Sequence, residues 1–325
     1  MMQPTDSQDN FRLIPCQDGS LTIHSALHDQ CFHSSAGALL ESQYIYLELG
    51  LKAYLASEAS TKSSEASSNN SGFISASSNN NSSAKAIDSS MKTLDFPEKT
   101  YDGSVETLDD SSAKAHDSSV ETIDPQMETL ASKQKISVLE IGFGSGINAL
   151  LCALEFLQQR SSNEKTASDA QALQMPEQFE FESIELYPIP EEIWSQLDYA
   201  SLLANERLSR EDIQAIFEKI HRAAWNERCE ILPGFFLHKR HEDILTFEPA
   251  AQYQVVFFDA FSPDCQPMLW SKDVFSKIKN AMLPGAFMTT YSSKGFVKQN
   301  LRELGFDVLR KPGPGQKRHV LQIRL

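Results

Sequence analysis

The sequence has no C-x-x-C pair. Its five cysteines, Cys16, Cys31, Cys152, Cys229 and Cys265, are odd in number and widely spaced. That pattern argues against a disulfide framework and a cysteine-held zinc, and it fits a reducing compartment. A positive balance is missing too. Lys and Arg number 29 against 44 Asp and Glu, for a net charge of −15, so polyanion binding driven by overall charge is not expected. No apolar run approaches the roughly 20 residues of a membrane-spanning helix. The polar start, MMQPTDSQDN, lacks the apolar stretch of a secretory signal. The expectation is a soluble, cytoplasmic protein with no membrane partner. The run His28-Asp29-Gln30-Cys31-Phe32-His33 is compact, yet it is not read as a metal centre, and no metal is expected.

What is present is uneven. Residues 57–133 are polar and poor in large apolar side chains; Ser57–Ser90 alone holds 14 Ser and 5 Asn. Such a stretch buries too little apolar surface to offset the entropy of ordering it. The repeat of Ser82–Ser90 at Ser111–Ser119 is too degenerate to stack as a solenoid. The segment is expected to be a disordered, low-complexity insertion between an N-terminal β-hairpin and helix (1–56) and an α/β domain (134–325). In that domain strands are expected at Lys135–Ile141, Phe179–Leu186, Gly234–Lys239, Gln254–Asp259 and Ala286–Tyr291. Helices are expected at Ala38–Leu55, Asn148–Arg160, Glu191–Leu203, Asp212–Ala224, Ser271–Met282 and Gly295–Leu304. Alternating β and α units imply a mostly parallel, Rossmann-like sheet. Two closing strands, Phe306–Arg310 and His319–Arg324, imply one antiparallel strand at or near an edge.

The chemistry concentrates where strands end. Glu140-Ile141-Gly142-Phe143-Gly144-Ser145-Gly146-Ile147-Asn148 joins the first long strand to its helix. Glycines here let the backbone turn tightly and let a ligand approach main-chain N–H groups at a helix N-terminus. The G-x-G-x-x-G/A part matches a dinucleotide loop, and the longer E-x-G-x-G-x-G form resembles the first motif of S-adenosylmethionine-dependent methyltransferases. A tight turn without a ligand is the plain alternative. Glu185, after the second strand, can accept hydrogen bonds from ribose hydroxyls of either cofactor. Asp243 can accept from an adenine amine or simply cap a helix. Asp259 ends the apolar strand and opens the loop DAFSPDCQPMLW, a usual way to build a site outside the carboxyl ends of parallel strands.

Four stretches, GFGSGIN (Gly142–Asn148), DAFSPDCQPMLW (Asp259–Trp270), GAFMTTYSSKGFVKQNLRELGF (Gly285–Phe306) and KPGPGQKRHVL (Lys311–Leu321), occur in that order. With Asp18-Gly19-Ser20, His33-Ser34, Gly37-Ala38 and Glu41-Ser42, they resemble the tRNA 5-aminomethyl-2-thiouridine methyltransferase family. That family comprises stand-alone MnmD enzymes and the methyltransferase domain of MnmC. The insertion and a longer Ser161–Gln178 loop depart from its pattern. The resemblance implies a class I, Rossmann-like α/β methyltransferase. S-adenosylmethionine would be held by Glu140, Gly142, Gly144, Gly146, Asn148, Glu185 and Asp243. Asp259 would be the catalytic residue that orients the amine, with Phe261, Pro263 and Tyr291 on the substrate side. Phe261 and Tyr291 are read as aromatic walls against the base or the sulfonium, with ordinary core residues as the alternative. The tRNA backbone would be met by Lys317 and Arg318, with Lys294, Lys298, Arg310 and Lys311. Residues 270–325 carry 11 Lys/Arg against 3 Asp/Glu, which fits that surface. Upstream enzymes forming the aminomethyl group would be functional partners. An NAD-dependent oxidoreductase and a non-catalytic RNA-binding module are the competing readings. The first lacks a catalytic His or Tyr–Lys pair near the strand ends, and the second is opposed by intact acids at four of them.

Overall fold

The computed structural model describes residues 11–70, 135–163, 175–249 and 252–325. Most of the 57–133 stretch therefore lies outside the described residues.

Eleven strands form two sheets among the described residues. A small one joins β1 (Phe11–Pro15), β2 (Leu21–Ser25) and β3 (Gln30–Cys31), all antiparallel. The large one runs β10-β11-β9-β8-β4-β5-β7-β6. Its members are β4 (Lys135–Ile141), β5 (Gln178–Glu185), β6 (Arg228–Leu232), β7 (Phe235–His241), β8 (Tyr253–Phe258), β9 (Met282–Thr290), β10 (Asp307–Pro312) and β11 (His319–Arg324). The central strands pair in parallel, and β11 lies antiparallel between β9 and β10, one place in from the edge. A second antiparallel strand corrects the sequence reading: β6 pairs with β7 at the opposite edge. Its five residues, RCEIL, do alternate, with Ile231 buried and Arg228 and Glu230 exposed, but the run is short and only two of its positions follow an apolar face before Leu232 breaks the pattern.

Strand periodicity divides the core. Along β8, Val255 and Phe257 pack on one face while Val256 and Phe258 pack on the other. The first face is covered by α3 (Ile147–Asn163), α6 (Arg210–Arg222) and residues from the N-terminal region, among them Ile45, Tyr46 and Leu51. The second is covered by α7 (Lys272–Ala281) and α8 (Gly295–Glu303). Ser209 and Ser271 cap α6 and α7, each accepting from the N–H three residues on.

Two helix expectations change. Glu191–Leu203 is not one helix but two turns, α4 (Glu191–Trp194) and α5 (Ala200–Leu203). Asp198 accepts from the Ser201 N–H and hydroxyl, offering the backbone a cap in place of helix continuation. The N-terminal helix also runs further than expected. It starts as α1 (Ala38–Glu41), continues as a π-helix over Ser42–Lys52 and ends as α2 (Ala53–Asn70). Residues 57–70, assigned to the insertion, are therefore helical. Extending a helix from a packed nucleus costs little, and its Ala, Ser and Glu residues tolerate it.

Candidate active site

The carboxyl ends of β4, β5 and β8 open into a cavity of about 380 Å³, within the range of small-molecule sites. Its wall includes Gly142, Gly144, Asn148, Glu185, Asp243, Asp259 and Phe261, so sequence-predicted residues from four strand ends meet there. Gly142 takes φ +97°, and a Cβ on it would lie 2.8 Å from the Asp259 carbonyl oxygen. Gly144 takes φ +51°, and its Cβ would meet the Phe32 ring at 3.0 Å. The glycines thus let β4, β8 and the N-terminal hairpin converge without side chains between them. Gly146 is turned away instead: its neighbours are His221 and Phe143, so it shapes the loop from behind.

Glu185 accepts from the Gly144 N–H at 3.1 Å and the Tyr187 N–H at 2.8 Å. Burial raises its pKa, and these backbone bonds oppose that rise. Asp243 accepts from the Leu245 N–H at 2.9 Å within a turn, so there is no helix here for it to cap, and it faces the cavity.

Glu140 departs from expectation. It lies behind the cavity wall, fully buried, with the Ser183 hydroxyl donating to Oε2 at 2.5 Å. Burial drives its carboxyl well above the usual range, the Asp259 and Glu185 charges adding to the rise and hydrogen bonding from Ser183 and Asn148 opposing it. Its Oε1 and the Oδ1 of neighbouring Asn148 both lack a partner, and a Gln amide in place of Glu140 would bring the donor that two such acceptors can share. Glu140→Gln is therefore expected to keep the melting temperature within a few degrees and to keep S-adenosylhomocysteine affinity. Glu140→Ala is expected to cost about 1–3 kcal/mol of stability. Calorimetry checks both, and a Gln variant as damaged as the Ala variant would show that the negative charge is needed.

Asp259 is the focus. The Tyr46 hydroxyl donates to its Oδ1 at 2.6 Å, and Asn148 Nδ2 donates to Oδ2 at 3.1 Å. Burial pushes its pKa up to about 7, with the Glu41 charge adding to the rise; the Tyr46 and Asn148 bonds and the Lys317 charge work against it. Phe261 stands beside His28 (ring centroids 4.4 Å) and Phe32 (5.2 Å), an aromatic group at the cavity wall. Tyr291 donates to the Ala260 carbonyl at 2.9 Å. Pro263 is buried outside the cavity wall, so it supports the loop from beneath.

Lys317 corrects the sequence reading. It does not stand free for phosphate: its Nζ bonds Glu41 Oε1 at 2.5 Å and lies 4.8 Å from the Tyr291 ring centroid. Glu41 is buried and also accepts from the Ser34 hydroxyl and N–H. Lys294 pairs with Asp264. Arg310 and Arg318 are exposed, and Lys298 and Lys311 are half-exposed.

Sequence reasoning gave no role to Tyr46, Glu41 or His33. The Asp18-Gly19-Ser20 turn explains how two of them are placed. Ser20 Oγ accepts from the Ala38 N–H at 3.0 Å and Asp18 Oδ2 from the Leu40 N–H at 3.1 Å. These bonds satisfy the open N-terminus of the helix that carries Glu41 and Tyr46. His33 is buried at the cavity wall, its pKa lowered to about 4 by burial, so it is a neutral imidazole.

Comparison with known proteins agrees with this geometry. The family described as S-adenosyl-L-methionine-dependent methyltransferase matches residues 213–324, about a third of the chain. The tRNA 5-methylaminomethyl-2-thiouridine biosynthesis bifunctional protein MnmC of Stutzerimonas stutzeri is 30% identical over 189 residues, 57% of this chain and 26% of that protein. The protein of the same name from Pseudomonas aeruginosa PAO1 is 28% identical over 202 residues, 59% of this chain and 27% of its own. This chain thus spans about a quarter of the length of these relatives. The crystal structure of MnmC2 from Aquifex aeolicus covers 97% of this chain and 69% of its own, with a TM-score of 0.53 at 19% identity. The architecture is the class I α/β fold shared with that structure, and the matched C-terminal third carries the likeness to S-adenosylmethionine-dependent methyltransferases. Within that class its likeness is to the MnmC proteins, in agreement with the resemblance carried by its motifs.

Proposed function

We propose that the enzyme methylates the amine of 5-aminomethyl(-2-thio)uridine at the tRNA wobble position, giving 5-methylaminomethyl(-2-thio)uridine. The observation that carries this reading is Asp259, a carboxylate at the cavity wall with both oxygens held by donors. S-adenosylmethionine supplies an electrophilic methyl group on a good leaving group. The protein's task is to place an uncharged amine in line with it. A substrate ammonium with a pKa near 10 would face an ordinary aspartate across about six pKa units. Raising Asp259 to about 7 removes roughly half of that gap, about 4 kcal/mol. Asp259 can then orient the amine and take its proton.

The cavity suits the cofactor: Gly142 and Gly144 leave space beside backbone N–H groups, and Glu185 and Asp243 offer acceptors. Arg310, Lys311 and Arg318, with Lys298 on α8, form the phosphate-facing set. The partner is tRNA in the cytoplasm, after upstream enzymes have formed the aminomethyl group.

The test is to incubate the enzyme with labelled S-adenosylmethionine and tRNA bearing 5-aminomethyl-2-thiouridine, then identify nucleosides by mass spectrometry. Methylaminomethyl product is expected; an enzyme that binds S-adenosylmethionine yet leaves this tRNA unmethylated would refute the substrate. Glu185→Ala and Asp243→Ala are each expected to weaken S-adenosylmethionine binding, by about 1–3 kcal/mol, with the tRNA KM unchanged. The loss should be larger at Glu185, which also holds the Gly144 N–H. Isothermal titration checks this.

A further inference from the structure

The segment Ser42–Lys52 is π-helical for 11 residues, a conformation that is rare beyond a single turn and recurs at functional sites. Its effect is a matter of register. In an α-helix, residues five apart point about 140° apart around the axis; a π-helix, bonded i to i+5, brings them back to nearly the same side. Glu41 and Tyr46 are five apart. Glu41 enters the segment bonded to Lys317, and Tyr46 within it bonds Asp259. Tyr46 is almost fully buried, its ring packed on Phe257 at 5.3 Å between centroids. Gly50 admits close approach on the same side: a Cβ there would lie 2.9 Å from the Phe257 ring.

We propose that Tyr46 is a positioning residue of the methyl-transfer site, delivered to Asp259 by the π-helical register and holding that carboxylate in one orientation. The inference rests on the proposed reaction for its kinetic consequence and on geometry alone for its structural one. The groups acting on Asp259 come from every side. Tyr46 and Glu41 come from the N-terminal helix, Asn148 from α3, Glu140 from β4, Tyr291 from the end of β9, and Lys317 from the turn before β11. Of these, Tyr46 and Asn148 donate hydrogen bonds to the carboxylate. A donor to the charged form favours ionisation, so removing the Tyr46 hydroxyl should raise the midpoint at which Asp259 ionises.

The experiment uses Tyr46→Phe in the full chain, which keeps the ring on Phe257. Asp259 is followed by ¹³C-carboxyl nuclear magnetic resonance, its signal assigned by loss in Asp259→Asn. The midpoint is expected to rise by roughly one pH unit. S-adenosylhomocysteine affinity should stay within about twofold. The kcat at neutral pH should fall about fivefold, as the ionised fraction of Asp259 does, recovering toward higher pH, with the tRNA KM steady. An unmoved midpoint would overturn the positioning role, whatever the kinetics show. A wild-type enzyme inactive on the aminomethyl tRNA would overturn the proposed reaction while leaving the midpoint comparison intact.

Discussion

Asp259→Asn is expected to bind S-adenosylmethionine and tRNA normally and to lose turnover by about 10²–10⁴-fold, the range of a lost proton acceptor. The amide keeps the shape of the carboxylate and still accepts from the Tyr46 hydroxyl, so the site should not collapse. What disappears is the group that takes a proton from the substrate ammonium. The pH profile separates this from a packing defect. Asp259 in the folded enzyme ionises near pH 7, so wild-type kcat should rise through that pH as the carboxylate forms. The Asn variant should lack that limb, its residual activity following only the ionisation of the amine. Rapid-quench assays across pH 5.5–9 make the measurement, and activity within a few-fold of wild type would reduce Asp259 to a structural role.

Lys317→Met is expected to lower stability at pH 7 by about 3 kcal/mol, in the range found when one partner of a buried ion pair is removed. The corresponding fall in melting temperature is roughly 6–12 °C. Glu41 is left with the Ser34 hydroxyl and N–H alone, in a place from which water is excluded. Burial pushes the Glu41 pKa up, but the Lys317 charge, helped by His33 and Ser34, outweighs it and sets the net value below the ordinary one. A depressed carboxyl pKa contributes stability that is present above the unfolded value, about 4.5, and lost as pH falls through the folded one. The gap between variant and wild type should therefore be widest near neutrality and close toward pH 4. Adding Glu41→Gln to Lys317→Met should restore much of the loss. The salt dependence of tRNA affinity sharpens the distinction: each lost phosphate contact should flatten the log–log slope by about 0.7–0.9. Arg318→Ala should do so and Lys317→Met should not. A flattened slope in Lys317→Met would return that residue to the nucleic-acid surface.

The parts of the fold that could be read from sequence are those with one physical cause. Lys135–Ile141 is buried from its second residue to its last, so its apolar run marks the central strand. The three glycines mark its turn because a side chain at Gly142 would strike the backbone of Asp259. Asp259 itself stands out as a carboxylate at the end of an apolar strand. Hidden residues owe their role to something composition does not encode. Glu41 and Tyr46 do not share a face at a 3.6-residue period, so the helix reading separated them; the π-helical register joins them. Lys317 counted as one of a basic group, because a charge in a sequence does not announce that it is paired with a buried one. β6 lies at the sheet edge, where a five-residue strand buries little more than Ile231 and its alternation is too short to stand out.

The place where β4 begins has a practical consequence. Lys135 stands at the start of a seven-residue strand whose far end carries the glycine loop, and seven residues of extended chain span about 23 Å. Lys135 therefore lies at the rim of the sheet opposite the reacting groups. A reporter protein or affinity handle spliced in just ahead of Lys135 would hang from the rear of the molecule, giving an attachment point for imaging or immobilisation that leaves the mouth of the cavity facing outward.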